Sequence, residues 1–456
     1  MDAIVTPAEM GEIDAAAPEP VEVLVGRAGG AVARAALDLL GGAYGCRVVV
    51  VAGKGNNGAD GREAARRLER RGVRATVIDA GSAPEVLPSA DLVIDAAYGT
   101  GFRGTYGAPR PAGDVPVLAV DIPSGVTGLT GEASGRPLAA TRTVTFAALK
   151  PGLLLGDGAE LAGEVVVADI GLDTSGATAH LVDDEAVAAW LPAPPRATHK
   201  WRSAAWLVAG SPGMGGAAHL AARAAQRGGA GYVRLSRPGL DEDPAAPTEA
   251  VVVPLAAEGW ADRVLGDLDR FAVLAVGPGL GRAPSTGEQV RELVARAPVP
   301  VVVDGDGLHA LGADAAAVVG RRPSGAPPVV LTPHDGEHAT LTGSAPGPDR
   351  IDAARGLAAE VGAVVLLKGP TTVVARPDGR VLVVTAGDAR LATAGTGDVL
   401  TGLLAGLIAQ GIDPFRAAAA AGHLHGRAGD LAWRRGLVAG DVVDHLPAAF
   451  DDVAGG

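Results

Sequence analysis

The sequence alternates short, continuously apolar, valine-rich segments with segments of helical length. Such apolar segments occur in both halves, from Val48–Val51 near the start to RVLVVTAG at residues 380–387. Strands that are apolar at every position are typical of parallel sheets that helices cover on both faces. The sequence therefore predicts an α/β protein with a largely parallel sheet in each half.

A change of composition divides the chain into two halves. Between residues 171 and 198 the sequence turns rich in proline and polar residues, with a cluster at Pro192, Pro194 and Pro195. This composition is typical of a linker. The halves do not align with each other, so the pattern indicates a fusion rather than an internal repeat. The predicted organisation is a domain over residues 1–178, a linker over residues 179–198 and a second domain over residues 199–456.

Net charge and cysteine content exclude several classes of function. The formal net charge of -13 at pH 7 argues against a surface for nucleic acid or for an anionic membrane. No segment approaches the roughly 20 apolar residues of a membrane span, and the acidic N-terminus lacks the pattern of a secretory signal. Cys46 is the one cysteine, which fits a packed thiol in a reducing compartment. We expect a cytoplasmic protein with a small-molecule ligand.

Two glycine-rich loops precede helix-like segments. The first is AGKGNNGADG at residues 52–61, and the second is AGTGDVLTG at residues 394–402, with Asp398 at the start of an apolar helix. Glycine allows a ligand to approach the backbone, and the N–H groups at a helix start bind phosphate-sized anions. The spacing fits neither the dinucleotide fingerprint nor the P-loop. The sequence predicts one nucleotide-handling site in each half.

Three clusters of oxygen-bearing residues follow predicted strands of the first half. They are residues 56–60, Asp95 with residues 99–101, and residues 121–125. In an open parallel sheet, ligands bind at the carboxyl ends of the strands. A single cluster is also explained by ordinary turn chemistry, but three clusters after three strands favour a ligand site.

These segments, GKGNNGADG, VIDAAYGTG and DIPSG, resemble the N-terminal domain family of the NAD(P)H-hydrate epimerases over residues 1–177. The resemblance implies a Rossmann-like sandwich and a potassium ion held by oxygens of Asn57, Asp95 and Ser124. It also implies contacts with the hydrated dinucleotide from Asn56, Asn57, Gly58, Ala59, Asp60, Gly99, Thr100, Gly101, Phe102, Arg103, Gly104, Thr105 and Asp121.

Asp121 is the candidate catalyst of this first site. Epimerisation at C6 of a hydrated nicotinamide needs proton transfer to the ring or to its hydroxyl, which a carboxylate in a dry cleft can perform. The alternative is that Asp121 only orients a helix or the ion.

The chain departs from the family at Ala59, Lys54 and Arg27, where glycine, proline and asparagine are common. A methyl group at position 59 requires a negative φ.

The second half contains six further segments, at residues 209–218, 276–281, 304–308, 331–337, 367–372 and 394–402. The last resembles the anion hole of ribokinase-like kinases. There, N–H groups at a helix start stabilise the transferring phosphoryl group, and an acid takes the proton of the substrate hydroxyl. Asp398 is predicted to be that base, and a helix-capping carboxylate is the alternative.

Together the six segments resemble the ADP-dependent (S)-NAD(P)H-hydrate dehydratase family from His199 to the C-terminus, which implies a ribokinase-like domain. The implied contacts with the hydrated substrate come from Ala217, Gly279, His334 and Asp398. Those with the adenine nucleotide come from Lys368, Gly369, Pro370, Thr371, Thr372 and Gly397. Phosphoryl transfer also leads us to expect Mg²⁺ with ADP as co-substrate.

The resulting hypothesis is a bifunctional repair enzyme for NADH and NADPH hydrates. One half interconverts the R and S hydrates, and the other dehydrates the S form with ADP, giving AMP and phosphate. Two alternatives stay open: a small-molecule kinase with a regulatory N-terminal domain, and a nucleotide-binding sensor without turnover. A homo-oligomer is also expected.

Two histidine patterns resemble metal sites. Residues 334–338 match H-x-x-E-H, a zinc-peptidase motif when it lies within a helix. Thr332 and Pro333 precede it and Gly336 weakens a helix, so a strand-to-helix turn is favoured. His423 and His425 are two residues apart, which places them on different faces of a helix rather than around one metal ion.

Overall fold

The computed structural model describes residues 1–193 and 196–455. Two prolines of the predicted linker, Pro194 and Pro195, lie outside the described residues. The chain divides into two compact units, Asp2–Ala179 and His180–Gly456. Across the residues described, no helix combines the length and the apolar character needed to cross a bilayer.

The first unit contains a six-stranded, wholly parallel sheet in the order β3-β2-β4-β6-β8-β9. The strands of this sheet are β2 (Arg47–Ala52), β3 (Arg74–Asp79), β4 (Leu92–Ala96), β6 (Val117–Val120), β8 (Arg142–Phe146) and β9 (Glu164–Ala168). The short strands β1 (Ala3–Ile4), β5 (Tyr106–Gly107) and β7 (Gly135–Arg136) lie outside it. The helices are α1 (Pro7–Ala15), α2 (Val21–Leu40), α3 (Asn56–Glu69) and α4 (Gly158–Leu161).

The valines of β2 explain why this sheet is buried on both faces. Val48 and Val50 belong to the cluster that α2 and α3 form on one face. Val49 and Val51 belong to a second cluster, which includes Leu87 and loop residues on the other face. Alternate side chains of a strand point to opposite faces, so four consecutive valines supply two hydrophobic cores. The predicted parallel α/β fold is confirmed in this unit.

The second unit contains the strand order β10-β19-β18-β17-β16-β15-β14-β11-β12-β13. The strands are β10 (Ala179–Leu181), β11 (Ala204–Val208), β12 (Tyr232–Ser236), β13 (Val251–Val252), β14 (Val273–Val276), β15 (Val301–Val303), β16 (Val329–Leu331), β17 (Val364–Leu367), β18 (Thr372–Ala375) and β19 (Val381–Val384). Strands β11 to β17 pair in parallel, and β17, β18 and β19 form antiparallel hairpins.

Helices surround this second sheet. They are α5 (Asp184–Trp190), α6 (Gly215–Arg227), α7 (Trp260–Asp267), α8 (Pro284–Arg296), α9 (Asp306–Leu311), α10 (Ala315–Gly320), α11 (Asp335–Thr342), α12 (Arg350–Val361), α13 (Thr396–Ala409), α14 (Pro414–Leu431) and α15 (Ala439–Ala454). One large core combines alternate strand residues with α6, α13, α14 and α15. The predicted second α/β domain is confirmed.

The segment predicted as a linker differs from that prediction over much of its length. Residues 179–190 form β10 and α5, and Val182 and Val187 lie in the core of the second unit. Asp183 caps α5, because its carboxylate accepts a hydrogen bond from Ala186 N at 2.8 Å. A capped helix with buried apolar residues therefore precedes the prolines. The proline cluster marks only the residues that follow this helix, so proline content alone predicted too long a linker.

Helices α6 and α13 approach so closely that Gly402 cannot carry a side chain. A Cβ atom at Gly402 would collide with the backbone oxygen of Ala221 in α6. Gly356 in α12 provides a matched control, because a Cβ atom there meets nothing within 4 Å.

We expect Gly402→Ala to lower the free energy of unfolding of the second unit by about 1–3 kcal/mol through overpacking. Gly356→Ala should raise it by up to about 1 kcal/mol through helix propensity. All 5 tryptophans lie between Trp190 and Trp433, so denaturant unfolding followed by tryptophan fluorescence reports on this unit. Equal effects of the two substitutions would contradict the close approach.

Candidate active sites

The first glycine loop forms the turn between β2 and α3. Helix α3 begins at Asn56 after Gly55, which offers no side-chain cap to the first N–H groups. A Cβ atom at Gly58 would collide with the carbonyl of Gly53, so glycine is required where the helix folds back on the turn. Ala59 lies within α3, and its φ is not positive. Its methyl group is therefore compatible with the backbone, as the sequence analysis required.

A cavity of about 710 Å³ opens beside this turn within the first unit. Apolar residues of α1 and α2 and the aromatic residues Tyr98, Phe102 and Phe146 form much of its wall. The predicted substrate residues that line it are Asn56, Asn57, Asp60, Gly99, Thr100, Gly101, Phe102 and Asp121. The predicted residues that do not line it are Gly58, Ala59, Asp95, Arg103, Gly104, Thr105 and Ser124.

Asp121 follows β6 with a φ of +67°, which is rare for a residue other than glycine. Lys150 Nζ lies 2.8 Å from its Oδ1 atom, and Thr145 Oγ1 donates to the same oxygen at 3.1 Å. Lys150 is only 1% exposed. The carboxylate is thus held by a buried cation at the cavity wall.

Two further carboxyl groups line the cavity without a comparable cation. Burial, followed by the negative charges of Asp121 and Asp14, raises the pKa of Asp60 to about 8. Burial also raises the pKa of Asp14, although the Lys150 ammonium opposes the shift. The cavity therefore presents carboxyl groups with different affinities for a proton.

Asp95 and Ser124 form a buried pair next to the loop that follows β4. Ser124 donates from its backbone nitrogen to Asp95 Oδ2 at 2.9 Å and from Oγ to Asp95 Oδ1 at 2.6 Å. Burial raises the pKa of Asp95, and the hydrogen bonds from Ser124 oppose the shift. Ser124 Oγ also accepts a hydrogen bond from Tyr98 N. Both polar atoms of the Asn57 side chain are buried and lack a partner among the described residues.

The second glycine loop leads into α13. Gly395 is the N-cap residue of this helix, and no side chain in the described structure accepts a hydrogen bond from the first N–H groups. Within the described residues, no hydrogen bond reaches the carboxylate of Asp398, so this residue does not cap the helix. Burial raises the pKa of Asp398 to about 6, and the negative charges of Asp304, Asp306 and Glu337 add to the shift while Lys368 opposes it. Asp398 is therefore suited to accept a proton near neutral pH.

Lys368, whose side chain is 19% exposed, forms an ion pair with the buried Asp304 beside this turn. Lys368 Nζ lies 2.7 Å from Asp304 Oδ1 and 3.5 Å from Glu337 Oε2. Thr332 Oγ1 and Thr401 Oγ1 donate to the two oxygens of Asp304, each at 2.7 Å. Burial alone would raise the pKa of Asp304, but Lys368 and these hydrogen bonds hold it below its usual value. Burial alone would lower the pKa of Lys368, but the carboxylates of Asp304 and Glu337 raise it.

Two pairs of predicted dehydratase residues are adjacent in the structure. Gly279 lies next to Ala217, because a Cβ atom added at Gly279 would be 3.1 Å from the Cβ atom of Ala217. Gly397 lies next to Lys368, because a Cβ atom added at Gly397 would be 3.7 Å from Lys368 Nζ. Residues 368–371 form the turn between β17 and β18, and Thr372 begins β18. This turn contacts the loop before α11, because Lys368 N donates to Pro333 O at 2.8 Å.

His334 is the cap of α11 rather than a residue within it. Its Nδ1 atom accepts hydrogen bonds from Gly336 N and Glu337 N, at 3.0 and 3.1 Å. The predicted strand-to-helix turn is therefore confirmed.

The two neighbouring histidines of α14 point to different partners. His423 Nε2 contacts Asp184, whereas His425 Nε2 contacts the backbone oxygen of Thr396. Burial lowers the pKa of His425 to about 4, so its neutral ring donates to the turn before Asp398. Their predicted separation on different faces is confirmed.

Two family models and several known proteins match this chain. The family model described as NAD(P)H-hydrate dehydratase matches residues 205–448, and that of the YjeF-related protein N-terminus matches residues 21–90 and 79–152. The bifunctional NAD(P)H-hydrate repair enzyme Nnr of Moorella thermoacetica is 39% identical over 97% of this chain and 96% of its own length. The chain belongs to the bifunctional NAD(P)H-hydrate repair enzyme family.

Other family members and solved structures agree with this assignment. The repair enzyme of Salinibacter ruber is 36% identical over 88% of this chain and 86% of its own length. The ADP/ATP-dependent NAD(P)H-hydrate dehydratase of Bacillus subtilis, crystallised with ATP and Mg²⁺, is 31% identical with a TM-score of 0.52, covering 59% of this chain and 97% of its own. A ribokinase-like superfamily protein of Enterococcus faecalis, 22% identical, has a TM-score of 0.52 over 61% of this chain and 97% of its own and supports the fold alone.

The structure brings to the two sites four charged residues to which the sequence had assigned no role. Asp14 and Lys150 lie outside the segments singled out from the sequence, whereas Asp304 and Glu337 lie within two of them. Lys150 and Asp304 each follow an apolar strand-like segment, FAAL and VPVVV, and a charged residue in that position was the available signal. Asp14 lies in a short acidic helix, and nothing in its local sequence distinguishes it from a solvent-exposed residue.

We expect Asp304→Asn to lower the free energy of unfolding of the second unit by about 3 kcal/mol, because the partly buried Lys368 loses its closest counter-charge. Asp304 has a lowered pKa in the folded state, so its contribution is complete above the ordinary aspartate pKa of about 4 and is lost as pH falls through the lowered value. Tryptophan fluorescence during denaturant unfolding at neutral and acidic pH measures both effects.

Asp262→Asn is the control for this prediction. It breaks an ion pair with Arg296 in which the side chains are 80% and 54% exposed, so the unfolding free energy should stay nearly unchanged. An Asp304→Asn protein as stable as this control would contradict the importance of the buried pair.

Proposed function

We propose that this protein repairs hydrated NADH and NADPH through two activities. The first unit interconverts the R and S hydrates, and the second dehydrates the S hydrate with ADP, giving AMP and phosphate. The observation that carries this proposal is Asp398, a half-buried carboxylate without a hydrogen-bond partner in the described structure, at the uncapped start of α13 beside Lys368. Family membership over almost the whole chain supports both activities.

The dehydratase step begins with a poor leaving group. Hydroxide leaves C6 of the hydrated ring with difficulty, so transfer of a phosphoryl group from ADP to the C6 oxygen converts it into phosphate, which leaves readily. Asp398 takes the proton of the C6 hydroxyl as its oxygen attacks the β-phosphorus. The N–H groups at the start of α13 and the Lys368 ammonium stabilise the developing negative charge. The ring nitrogen then expels phosphate, and loss of a proton from C5 restores the reduced nicotinamide.

We assign the nucleotide contacts to the elements around α13. Gly397 and Lys368 are adjacent, so both serve the transferring phosphoryl group, and residues 369–372 of the β17–β18 turn serve the rest of the adenine nucleotide. Ala217, Gly279 and His334 bind the hydrated nicotinamide nucleotide. The two ligands are thus shared by the loops after β14 and β16, the β17–β18 turn and the first turns of α6 and α13.

Mg²⁺ is proposed as the ion that neutralises the phosphates of ADP. The residues fit this role, because Mg²⁺ is commonly held by substrate phosphates, waters and one or two carboxylates rather than by a protein cage. Within the described residues no group of three or more histidine, cysteine or acidic side chains could hold a metal ion alone. Glu337 and Asp306 supply negative charge near Asp398.

Potassium is proposed for the first site, with Asn57, Asp95 and Ser124 as the residues that hold it. The buried amide of Asn57 lacks a partner in the described part of the chain, and an unsatisfied buried oxygen is costly unless a ligand completes it. Carbonyl, carboxylate and hydroxyl oxygens suit a hard cation. Such an ion would supply a fixed positive charge for the hydrated nucleotide, while Asp121 moves the proton.

The experiment that tests both activities supplies mixed R and S hydrates of NADH with Mg-ADP and follows the near-ultraviolet absorbance of reduced nicotinamide. We expect complete recovery by the intact protein, and recovery of the S fraction alone by Asp121→Ala. Asp398→Ala should lower the rate by at least about 100-fold, because it lacks the base. Asp451→Ala, an exposed carboxylate on α15, is the control and should resemble the intact protein.

Two outcomes of this assay would favour the alternatives. A stable phosphorylated product with a preference for ATP would indicate a small-molecule kinase. Hydrate binding without any recovery of NADH would indicate a sensor.

We also expect kcat for dehydration of the S hydrate to rise with pH around a midpoint of about 6, because Asp398 must be deprotonated and its pKa is raised to about 6. Glu337→Gln removes a neighbouring negative charge and should move the midpoint to lower pH. Initial rates at saturating ADP measure the profile, with Asp451→Ala as the control. A midpoint near the ordinary aspartate value of about 4 would show that burial does not raise the pKa of the base, and a midpoint that Glu337→Gln leaves unmoved would show that Asp398 is not the base.

A further inference from the structure

Lys150 has no hydrogen-bond donor left for a ligand. Its Nζ atom lies 2.8 Å from Asp121 Oδ1, 2.8 Å from Thr145 Oγ1 and 2.9 Å from the backbone oxygen of Phe146. A lysine ammonium has three N–H donors, and these three acceptors satisfy all of them. Although Lys150 lines the cavity, its influence on a substrate therefore passes through Asp121.

The two carboxylate oxygens of Asp121 have different surroundings. Oδ1 contacts Lys150 and Thr145, whereas Oδ2 faces Gly99, where a Cβ atom would lie 3.2 Å away. No hydrogen bond to Oδ2 occurs within the described residues. The backbone of Asp121 is left-handed, with a φ of +67°, which residues other than glycine rarely adopt. One carboxylate oxygen contacts the lysine, and the other is open to the cavity that Asp121 lines.

Asp60 has the opposite environment in the same cavity. It lies one turn into α3 and is 7% exposed, and its carboxyl group forms no ion pair or hydrogen bond within the described residues. With a pKa near 8, it is mostly protonated at neutral pH. Other charged or titratable groups that face this cavity are Asp14 on α1, Lys54 in the glycine loop, Asp79 at the end of β3 and Tyr98 after β4.

We propose that Asp121 and Asp60 are the base and the acid of the epimerase, and that Lys150 is a positioning residue that holds one oxygen of Asp121. This inference rests on the proposed epimerase function. It adds an acid with a defined role and a lysine that the sequence analysis did not detect.

The pair can open and close the hydrated ring. Asp121 Oδ2 takes the proton of the C6 hydroxyl, the C6–O bond becomes a carbonyl, and the C6–N1 bond breaks. Its electron pair goes to N1, which takes the proton of Asp60. Rotation about C5–C6 presents the other face of the aldehyde to N1. Attack by N1 reforms the bond, N1 returns its proton to Asp60, and the oxygen takes back the proton from Asp121, so nothing is oxidised or consumed.

The test uses the full chain without ADP, so that dehydration does not consume the S hydrate. Conversion of purified S hydrate to R hydrate is followed chromatographically as a function of pH. We expect kcat to fall at alkaline pH with a midpoint of about 8, the pKa of Asp60. Asp60→Asn should lower kcat by about 100-fold or more and abolish the alkaline limb. Glu69→Gln, an exposed position on the same helix, should change neither.

Two variants test Lys150. Lys150→Met removes the cation that holds one oxygen of Asp121, so kcat should fall more than KM changes. Thr145→Val keeps the lysine and removes one hydrogen bond to Asp121, so a smaller fall in kcat with an unchanged KM is expected. This milder variant gives an answer even where Lys150→Met does not fold. An unchanged kcat in Thr145→Val, or an alkaline limb retained in Asp60→Asn, would overturn the proposal.

Failure of the epimerase function and failure of the proposed ring-opening mechanism give different results. If the unmodified protein does not interconvert the hydrates, the proposed epimerase function itself fails. If it does, epimerisation in ¹⁸O-labelled water tests the ring-opening step, and retention of the original C6 oxygen supports it. Uptake of solvent oxygen in step with each epimerisation would overturn ring opening, because dehydration and rehydration would then exchange the hydroxyl.

Discussion

A lysine paired with an aspartate near the end of a strand organises the charges of each candidate site. In the first unit the buried Lys150 contacts one oxygen of Asp121 and leaves the other open. In the second unit the partly buried Lys368 and two threonines contact both oxygens of Asp304. Removing one partner of such a pair leaves the other charge uncompensated. The same type of pair therefore leaves an open oxygen on the proposed base Asp121 in one unit, whereas in the other unit it satisfies Asp304 and the proposed base is the neighbouring Asp398.

The two sites also share an exposed helix start. Gly55 precedes α3 and Gly395 precedes α13, and neither offers a side-chain cap. The unpaired N–H groups are then available to an anionic ligand. Side chains would also obstruct the packing behind these turns, since a Cβ atom at Gly58 or Gly402 would meet backbone oxygens. Glycine thus serves the ligand and the packing at once.

The sequence predicted the sheets well, because they have a local signal. Continuous valines specify a sheet buried on both faces, and a Gly-Thr-Gly turn before Asp398 predicts a helix start with an acid. The pairing of charged residues had no such signal, since Lys150 is 29 positions from Asp121 and Lys368 is 64 positions from Asp304. Arg27, a departure from the family, has a partner still further along the chain, the backbone oxygen of Ile170, which is 143 positions away in sequence and 2.7 Å away in space. Only the fold reveals these pairs.

Proton affinities link the two proposed activities. In the proposed dehydratase mechanism Asp398 must be deprotonated, so that step would be favoured above its pKa of about 6. In the proposed epimerase mechanism Asp60 must be protonated, so that step would be favoured below its pKa of about 8. Both conditions hold together only between these values, a range that includes neutral pH. A dehydratase selective for the S hydrate depends on continued supply from the R hydrate, so under this proposal the charges that set each pKa also make the two steps operate in one pH range.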